Sequence, residues 1–292
     1  MSGTVLGVLG GSGVYDIDGL EDARWVTVDT PWGAPSDQLL RGRIDGLEVV
    51  FLPRHGRGHH VSPTGINARA NIDALKRMGV TDLVSVAAVG SLREDLPPGT
   101  FVVCDQYVDR TVNRTRSFFG EGCVAHVSLA HPTCERLADH VTRAGRTAGI
   151  SMVRGGTYIC IEGPQFSTLA ESHLFRSWSM DVIGMTAMPE ARLAREAELC
   201  YLTVGMVTDY DCWHEDHDAV TVEQVIGVLL ANAGNARRLI GALVPLMTGI
   251  DHPCPHRCDR ALDHALITRP EARDGEVIAR LDAVAGRVLG AC

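Results

Sequence analysis

The chain has 292 residues, 45% of them hydrophobic and 22% charged, and a formal net charge of −9. That composition belongs to an ordinary folded globular protein and excludes disordered and fibrous classes. The acidic balance also disfavours nucleic acid and anionic membrane as partners, because both demand a basic surface; only a small local anion site is compatible with it.

Nine cysteines, an odd number scattered along the chain, point to a reducing cytosol rather than a secreted disulfide framework. The first residues carry no basic leader, and glycine and Asp16 interrupt their apolar stretch, so neither a signal peptide nor a membrane span is expected.

The first β-branched run, Val5 to Leu9, reads as a buried strand that leads into Gly10-Gly11-Ser12-Gly13. Glycines there let backbone N–H groups approach an anion, with the Ser12 hydroxyl as a further donor. A dinucleotide fingerprint would need a third glycine and a helix start, and the following Val14, Tyr15 and Asp16 supply neither. A structural tight turn is the bland alternative.

A second strand, Val49 to Leu52, opens onto Arg54-His55-Gly56, which places a charged fork and an imidazole at a strand exit. On its own such a pair is as readily a surface feature. Helical spacing follows over Ile66 to Arg77. The run Leu83 to Val86 continues through Ala87-Ala88-Val89-Gly90-Ser91, whose backbone can line a pocket or simply form core.

Further on come a strand at Phe101 to Val103, a helix over Thr133 to Ala148, and a strand at Thr157 to Ile161 that runs into Glu162-Gly163-Pro164-Gln165-Phe166-Ser167. Phe166 beside the Gly-Pro turn offers a face for a planar ring, or packs as an ordinary turn residue. A helix over Leu169 to Trp178 and a strand at Val182 to Met185 follow. The alternation of strands and helices predicts an α/β fold.

The strand Tyr201 to Val207 leads into Thr208-Asp209-Tyr210-Asp211-Cys212-Trp213. If the strand continues, Asp209 and Asp211 point the same way. One carboxylate can then accept from an exocyclic amine while the other, protonated by burial, donates to a ring nitrogen, as purine recognition requires. A solvated acidic turn has the same spacing. His214-Glu215-Asp216-His217-Asp218 has metal-like composition, but its consecutive residues read as a hydrated helix entry. The helix itself spans Thr221 to Leu246, with Thr221 as cap and an apolar stripe through Val222, Ile226 and Leu229. Residues 1 to 250 show no internal break, and the remainder is richer in Pro, His and charge. Within it, Cys254 and Cys258 could hold a metal or a disulfide, but no second Cys/His pair at zinc spacing lies beyond them, so no metal site is assigned and their role stays open.

Taken in order, GGSG, RHG, NARAN, AAVGSLRED, DQYVDRT, IEGPQFST, GMTAMPEA and TDYDCW resemble the methylthioadenosine phosphorylase family of purine nucleoside phosphorylases, from about Val5 to about Leu246. The resemblance implies a purine nucleoside phosphorylase-like fold with a mixed, barrel-like central sheet flanked by helices. It also implies a homotrimer whose sites are completed by a neighbouring subunit, a phosphorylase domain over 1–250, and a 251–292 extension that packs on that domain or on a neighbouring subunit.

Phosphate, by this resemblance, is a co-substrate and no cofactor is needed. Ser12, Arg54, His55, the backbone at Ala87 and Ala88, and Thr186 match the phosphate site. Met185 matches the ribose contact, Phe166 and Ser167 the base wall, and Asp209 with Asp211 the pair that reads and protonates adenine. Val222, Val225 and Ile226 match an apolar 5' pocket, with His126 and His59 at its border. The implied reaction cleaves methylthioadenosine; 5'-halogenated 5'-deoxyadenosines are the alternative substrates, and 6-oxopurine nucleosides are expected to need an asparagine in place of Asp209. Two departures stand out: Ala87, where many members have Thr, and Ala68, where an aromatic is frequent.

Overall fold

A computed structural model describes residues 3–11, 13, 17–214, 222–250 and 252–290. The chain begins with strands β1 (Val5–Gly10), β2 (Glu21–Val26), β3 (Leu39–Ile44) and β4 (Leu47–Pro53), then helix α1 (Ala68–Arg77). Strands β5 (Asp82–Ser91), β6 (Phe101–Cys104) and β7 (Gln106–Asp109) precede α2 (Glu135–Thr147). After β8 (Met152–Arg154) and β9 (Thr157–Cys160) come α3 (Leu169–Ser177), β10 (Val182–Gly184), α4 (Ala187–Glu196), β11 (Cys200–Asp209) and α5 (Val222–Met247). Two short helices, α6 (Gly275–Arg280) and α7 (Asp282–Leu289), complete it.

All the strands join one mixed sheet that branches at β5. One edge of β5 pairs with β1 in parallel, and the other with β11 in parallel, while its last residues pair antiparallel with β10. Beyond β1, parallel β4 leads to the β3–β4 hairpin, closed by Asp45-Gly46, both at positive φ. The α/β class expected from the alternation is the one found.

Side chains of β5 and β11 alternate between two cores on opposite faces of the sheet. Leu83, Val89, Tyr201 and Val207 lie in one; Val84, Val86, Leu202, Val204 and Met206 lie in the other. The second core is sealed by α2 and α5 through Leu137, Val141, Leu239, Ile240 and Leu243. Each such side chain withdrawn from water stabilises the fold by about 1.5–3 kcal/mol.

Residues after α5 close the first core. Leu262, Ala265, Leu281, Val284 and Ala285 are buried with Ile72 and Leu75 of α1, and Arg77 of α1 bridges Asp73 and Asp282.

This topology gathers the motifs. Because β4, β1, β5 and β11 run parallel, their C-terminal ends share one edge of the sheet, the place where open α/β sheets bind ligands. The Arg54 N–H donates to the Gly10 carbonyl at 2.8 Å, which ties the exits of β4 and β1 together.

Candidate active site

The carboxylate pair stands at the exit of β11, but not by strand alternation. The register of β11 shifts between Val207 and Asp209, and Asp211 has φ 54°, in the left-handed region. The strand therefore ends and turns. Asp209 Oδ1 accepts the Asp211 N–H at 2.8 Å, and Oδ2 accepts the Thr208 hydroxyl at 2.6 Å. The two residues do converge, though by a side-chain-closed turn, which corrects the extended-strand reading.

Gly90 of β5 admits them. A Cβ there would lie 2.9 Å from Asp209 Oδ1 and 3.3 Å from Asp211 Cβ. Burial raises both carboxyls. Asp209 lies above its ordinary value despite the opposing hydrogen bonds from Thr208 and the Asp211 N–H. For Asp211, burial outweighs the nearby Ser172 hydroxyl and, with the Asp209 charge, pushes it up to about 6.

Around the pair, the buried hydroxyls of Ser167 and Ser172 have no partner of normal hydrogen-bond geometry. Unsatisfied buried hydroxyls are uncommon in folded proteins, and Ser172 is close enough to Asp211 to oppose the rise of its carboxyl. The Ser167 carbonyl lies 3.4 Å from Cys212 Sγ, while Phe166 beside it is 52% exposed.

Met185 and Thr186 follow β10, which runs antiparallel to β5 and so leads its exit back toward Ala88. Ala88 is exposed and Gly90 half-buried in a β5 whose other residues, Ala87 among them, are buried. Gly163, at φ 70°, meets Met185: a Cβ there would lie 2.5 Å from Sδ, so only glycine lets the Gly-Pro turn close on this methionine.

Arg54 departs from the open anion-binding fork expected of it. Its guanidinium is 2% exposed and paired with Glu190, Nε to Oε1 at 2.5 Å and Nη2 to Oε2 at 3.2 Å. It also donates to the carbonyls of Val86 and Leu9 and to Ser85 Oγ. Arg54 thus locks β1, β4, β5 and α4 together from beneath the site.

His55 Nδ1 lies 2.8 Å from the Val61 carbonyl, which can only accept, so Nδ1 carries the proton and Nε2 is left as an acceptor. Burial and the Arg54 charge lower His55 to about 4, keeping the ring neutral, and it stacks on His59 at 4.2 Å between centroids.

A polar cleft of about 160 Å³ opens alongside, lined by Thr186, Glu190, Asn67, Arg69, Thr64 and Arg114 among others. It shares Thr186 with the expected phosphate set, but the carboxylate pair lies outside its lining. Arg114 clamps the cleft wall, with Nη1 donating to the carbonyls of Met185 at 2.6 Å and Met188 at 2.8 Å, and Nη2 to that of Glu162 at 2.7 Å. The Glu162 carboxylate accepts from Thr64, from Arg114 and from the N–H groups of Val112 and Asn113. Against burial, these bonds hold it down at about 2.

A family model described as the phosphorylase superfamily matches residues 5–245. The chain belongs to this superfamily. It is 62% identical over 287 residues to the S-methyl-5'-thioadenosine phosphorylase of Cereibacter sphaeroides, covering 98% of this chain and 99% of that one. The protein of that name from Rhodospirillum rubrum is 62% identical over 286 residues, covering 98% and 97%. Among solved structures, a methylthioadenosine phosphorylase from an antarctic soil metagenomic library superposes with a TM-score of 0.91 at 45% identity, covering 97% of this chain and 99% of that one. Methylthioadenosine phosphorylase from Schistosoma mansoni in complex with adenine gives 0.82 at 35%, covering 89% and 97%.

Within the superfamily fold, the remaining sequence-read residues fall in two groups. Ser12 lies outside the described residues, as do the side chains of Val222, Val225 and Ile226. His126 is exposed, on a segment bridged to the C-terminal part of the chain: its N–H donates to the Ala265 carbonyl, and Ala125 pairs with Leu266. Among the described residues it has no hydrogen bond or ring contact with the carboxylate pair of its own chain.

Arg114 and Glu190 are the residues that sequence reading missed. Arg114 falls in none of the family motifs read from the sequence, and Glu190 entered only as a letter of GMTAMPEA, with no role given to it. Arg114 acts as a positioning residue, since its planar fork serves backbone acceptors from two separate segments. Arg114→Lys is expected to lower kcat/KM for nucleoside by about tenfold or more, because a 1 Å misplacement costs on that scale or above. Steady-state kinetics at saturating phosphate checks it; an unchanged KM and kcat would remove Arg114 from the positioning machinery.

Proposed function

We propose that the chain is a methylthioadenosine phosphorylase, a pentosyltransferase that splits 5'-deoxy-5'-methylthioadenosine with phosphate into adenine and 5-methylthioribose 1-phosphate. The observation that carries this is the pair of half-buried Asp209 and buried Asp211, its carboxyls raised, closing against Gly90 at the ligand edge of the sheet. A carboxyl raised by burial can take up a proton and pass it to N7 of a purine, while its neighbour accepts from N6. The names of the relatives agree with this reading and favour methylthio over halogenated substrates, and an aspartate rather than an asparagine at this position favours adenine over 6-oxopurines.

In the reaction, an oxygen of phosphate bonds to C1' as the C1'–N9 pair withdraws into the purine, with inversion at C1'. Asp209 delivers its proton to N7, so adenine leaves neutral, and the proton shed by the new phosphate ester restores the acid through solvent. No metal or organic cofactor enters these steps.

Phosphate is assigned to the Gly10–Gly13 turn with Ser12, the backbone at Ala87 and Ala88, His55, and Thr186 at the start of α4. Helix N-termini and clustered N–H groups favour an anion. Neutral His55, with Nε2 as acceptor, suits the hydroxyl of a monohydrogen phosphate. Arg54 supplies positive charge from below rather than a fork, and its partner Glu190 moderates that charge.

Met185 takes the ribose, Phe166 and Ser167 the base, and Val222, Val225 and Ile226 the apolar 5' group. His126, held on the segment bridged to the C-terminal part of the chain, is assigned to the 5' end of a neighbouring subunit's substrate, as a homotrimer would allow. Val112, Phe166 and Leu169 are exposed apolar side chains, at 74%, 52% and 54%, that such a contact could cover. The free cysteines, and the fact that among the described residues no helix is long and apolar enough to cross a membrane, are compatible with a cytoplasmic enzyme.

The test is incubation of purified protein with methylthioadenosine, with and without phosphate, following adenine and pentose 1-phosphate. Adenine released only with phosphate is expected; release without phosphate, or none at all, would overturn the assignment.

A further inference from the structure

At the end of β11 opposite to the carboxylate pair, four cysteines that are dispersed in sequence come together. Cys134 caps the start of α2, Cys200 opens β11, and Cys254 and Cys258 lie in the loop after α5. All four are buried, between 0% and 2% exposed, and their Sγ atoms lie within 4.8 Å of one another. The missing second pair of the sequence reading is thus supplied by residues more than fifty positions upstream.

The spacing is that of metal ligands. A disulfide requires about 2.05 Å between sulfurs, whereas Cys134 and Cys254 are 3.8 Å apart. Zinc–thiolate bonds of about 2.3 Å in a tetrahedron place sulfur pairs about 3.8 Å apart. The surroundings also suit thiolates. Arg136 Nη2 donates to Cys200 Sγ at 3.3 Å and is itself held by Asp82, whose other oxygen lies 3.1 Å from His252 Nε2. Cys134 sits at the positive end of the α2 dipole. An N–H···S donor that is itself a cation, held in place by a carboxylate, is the kind of outer shell that orients and tunes a metal–thiolate centre.

We propose that Cys134, Cys200, Cys254 and Cys258 bind one zinc ion as a structural tetrathiolate site. The ion joins the start of α2 and the start of β11 to the segment after α5, and so staples the C-terminal part of the chain to the sheet. With four protein ligands the coordination is closed, leaving no position for water or substrate, so its role is in folding and not in phosphorolysis.

Elemental analysis of full-length protein, purified reduced without chelators or metal-affinity resin, tests this. One zinc per chain is expected. Mercurial titration should release it as the four thiols react, and cobalt in its place should give intense thiolate-to-metal charge-transfer bands. Removing the ion should lower Tm. Cys258→Ser should lose the zinc, and Cys123→Ala, buried outside the cluster, should keep it. Should Cys258→Ser fail to fold, the stoichiometry of the unaltered chain decides. Reduced protein that neither carries nor takes up zinc, iron in its place, or any disulfide among the four would overturn the site.

Discussion

Asp209→Asn is expected to lower kcat/KM for methylthioadenosine by about 10²–10⁴-fold, the range associated with loss of a general acid or base. The fold should survive, because the side-chain carbonyl of the introduced amide can still accept the Asp211 N–H that closes the turn. Turnover of the matching inosine analogue should fall much less, since an amide can donate to O6 where a carboxylate repels it. Steady-state kinetics on both nucleosides decides the matter, and equal losses would sink the specificity argument.

A pH measurement separates this effect from simple damage. The folded-state value of Asp211 is raised from 3.8 to about 6, so its stabilising contribution is complete below 3.8 and is lost as pH rises through 6. Part of that rise comes from the Asp209 charge. A neutral amide in its place removes that part, so the decline in Tm between these pH values should be shallower in the variant than in the parent.

Much of the architecture was legible in the sequence because it rests on local signals. Each β-branched run read as a strand is one, and the helices over Ala68–Arg77, Glu135–Thr147, Leu169–Ser177 and Val222–Met247 fall where apolar spacing placed them. What was missed lacks such a signal. Strand β2, Glu-Asp-Ala-Arg-Trp-Val, is a charged, exposed edge strand, a composition that edges use against aggregation and that periodicity does not register. Helix α4 was hidden by Pro189 and by the non-helical Met188 within its first turn.

The site divides in the same way. Asp209 and Asp211 were identifiable by residue type, but the turn that joins them depends on a register shift and a positive φ, which neighbouring residues alone do not reveal. Arg114 takes its meaning from carbonyls 48, 71 and 74 residues away, and Arg54 from a carboxylate 136 residues away. Side-chain chemistry can be read from a sequence; who answers it across the sheet cannot.

Glu190→Ala carries the largest expected cost in stability. Burial alone would lower Arg54, and the Glu190 charge more than offsets it, so the guanidinium stays charged with almost no access to water. Removing Glu190 strands that charge, and breaking a buried pair from one side costs about 3–5 kcal/mol. Ser85 Oγ, which donates to Glu190 Oε2 at 2.8 Å, loses its acceptor as well. Denaturant unfolding should show the loss. The double replacement Arg54→Met with Glu190→Leu removes both charges and should recover most of it, because an apolar pair of similar volume at a buried ion-pair site is often neutral or better. The recovered protein would still lack the positive charge beneath the proposed anion site, so its KM for phosphate should remain raised while its affinity for adenine is little changed. A double variant as unstable as Glu190→Ala would show that the hydrogen bonds from Arg54 to Leu9, Ser85 and Val86, rather than its charge balance, hold the strand exits together.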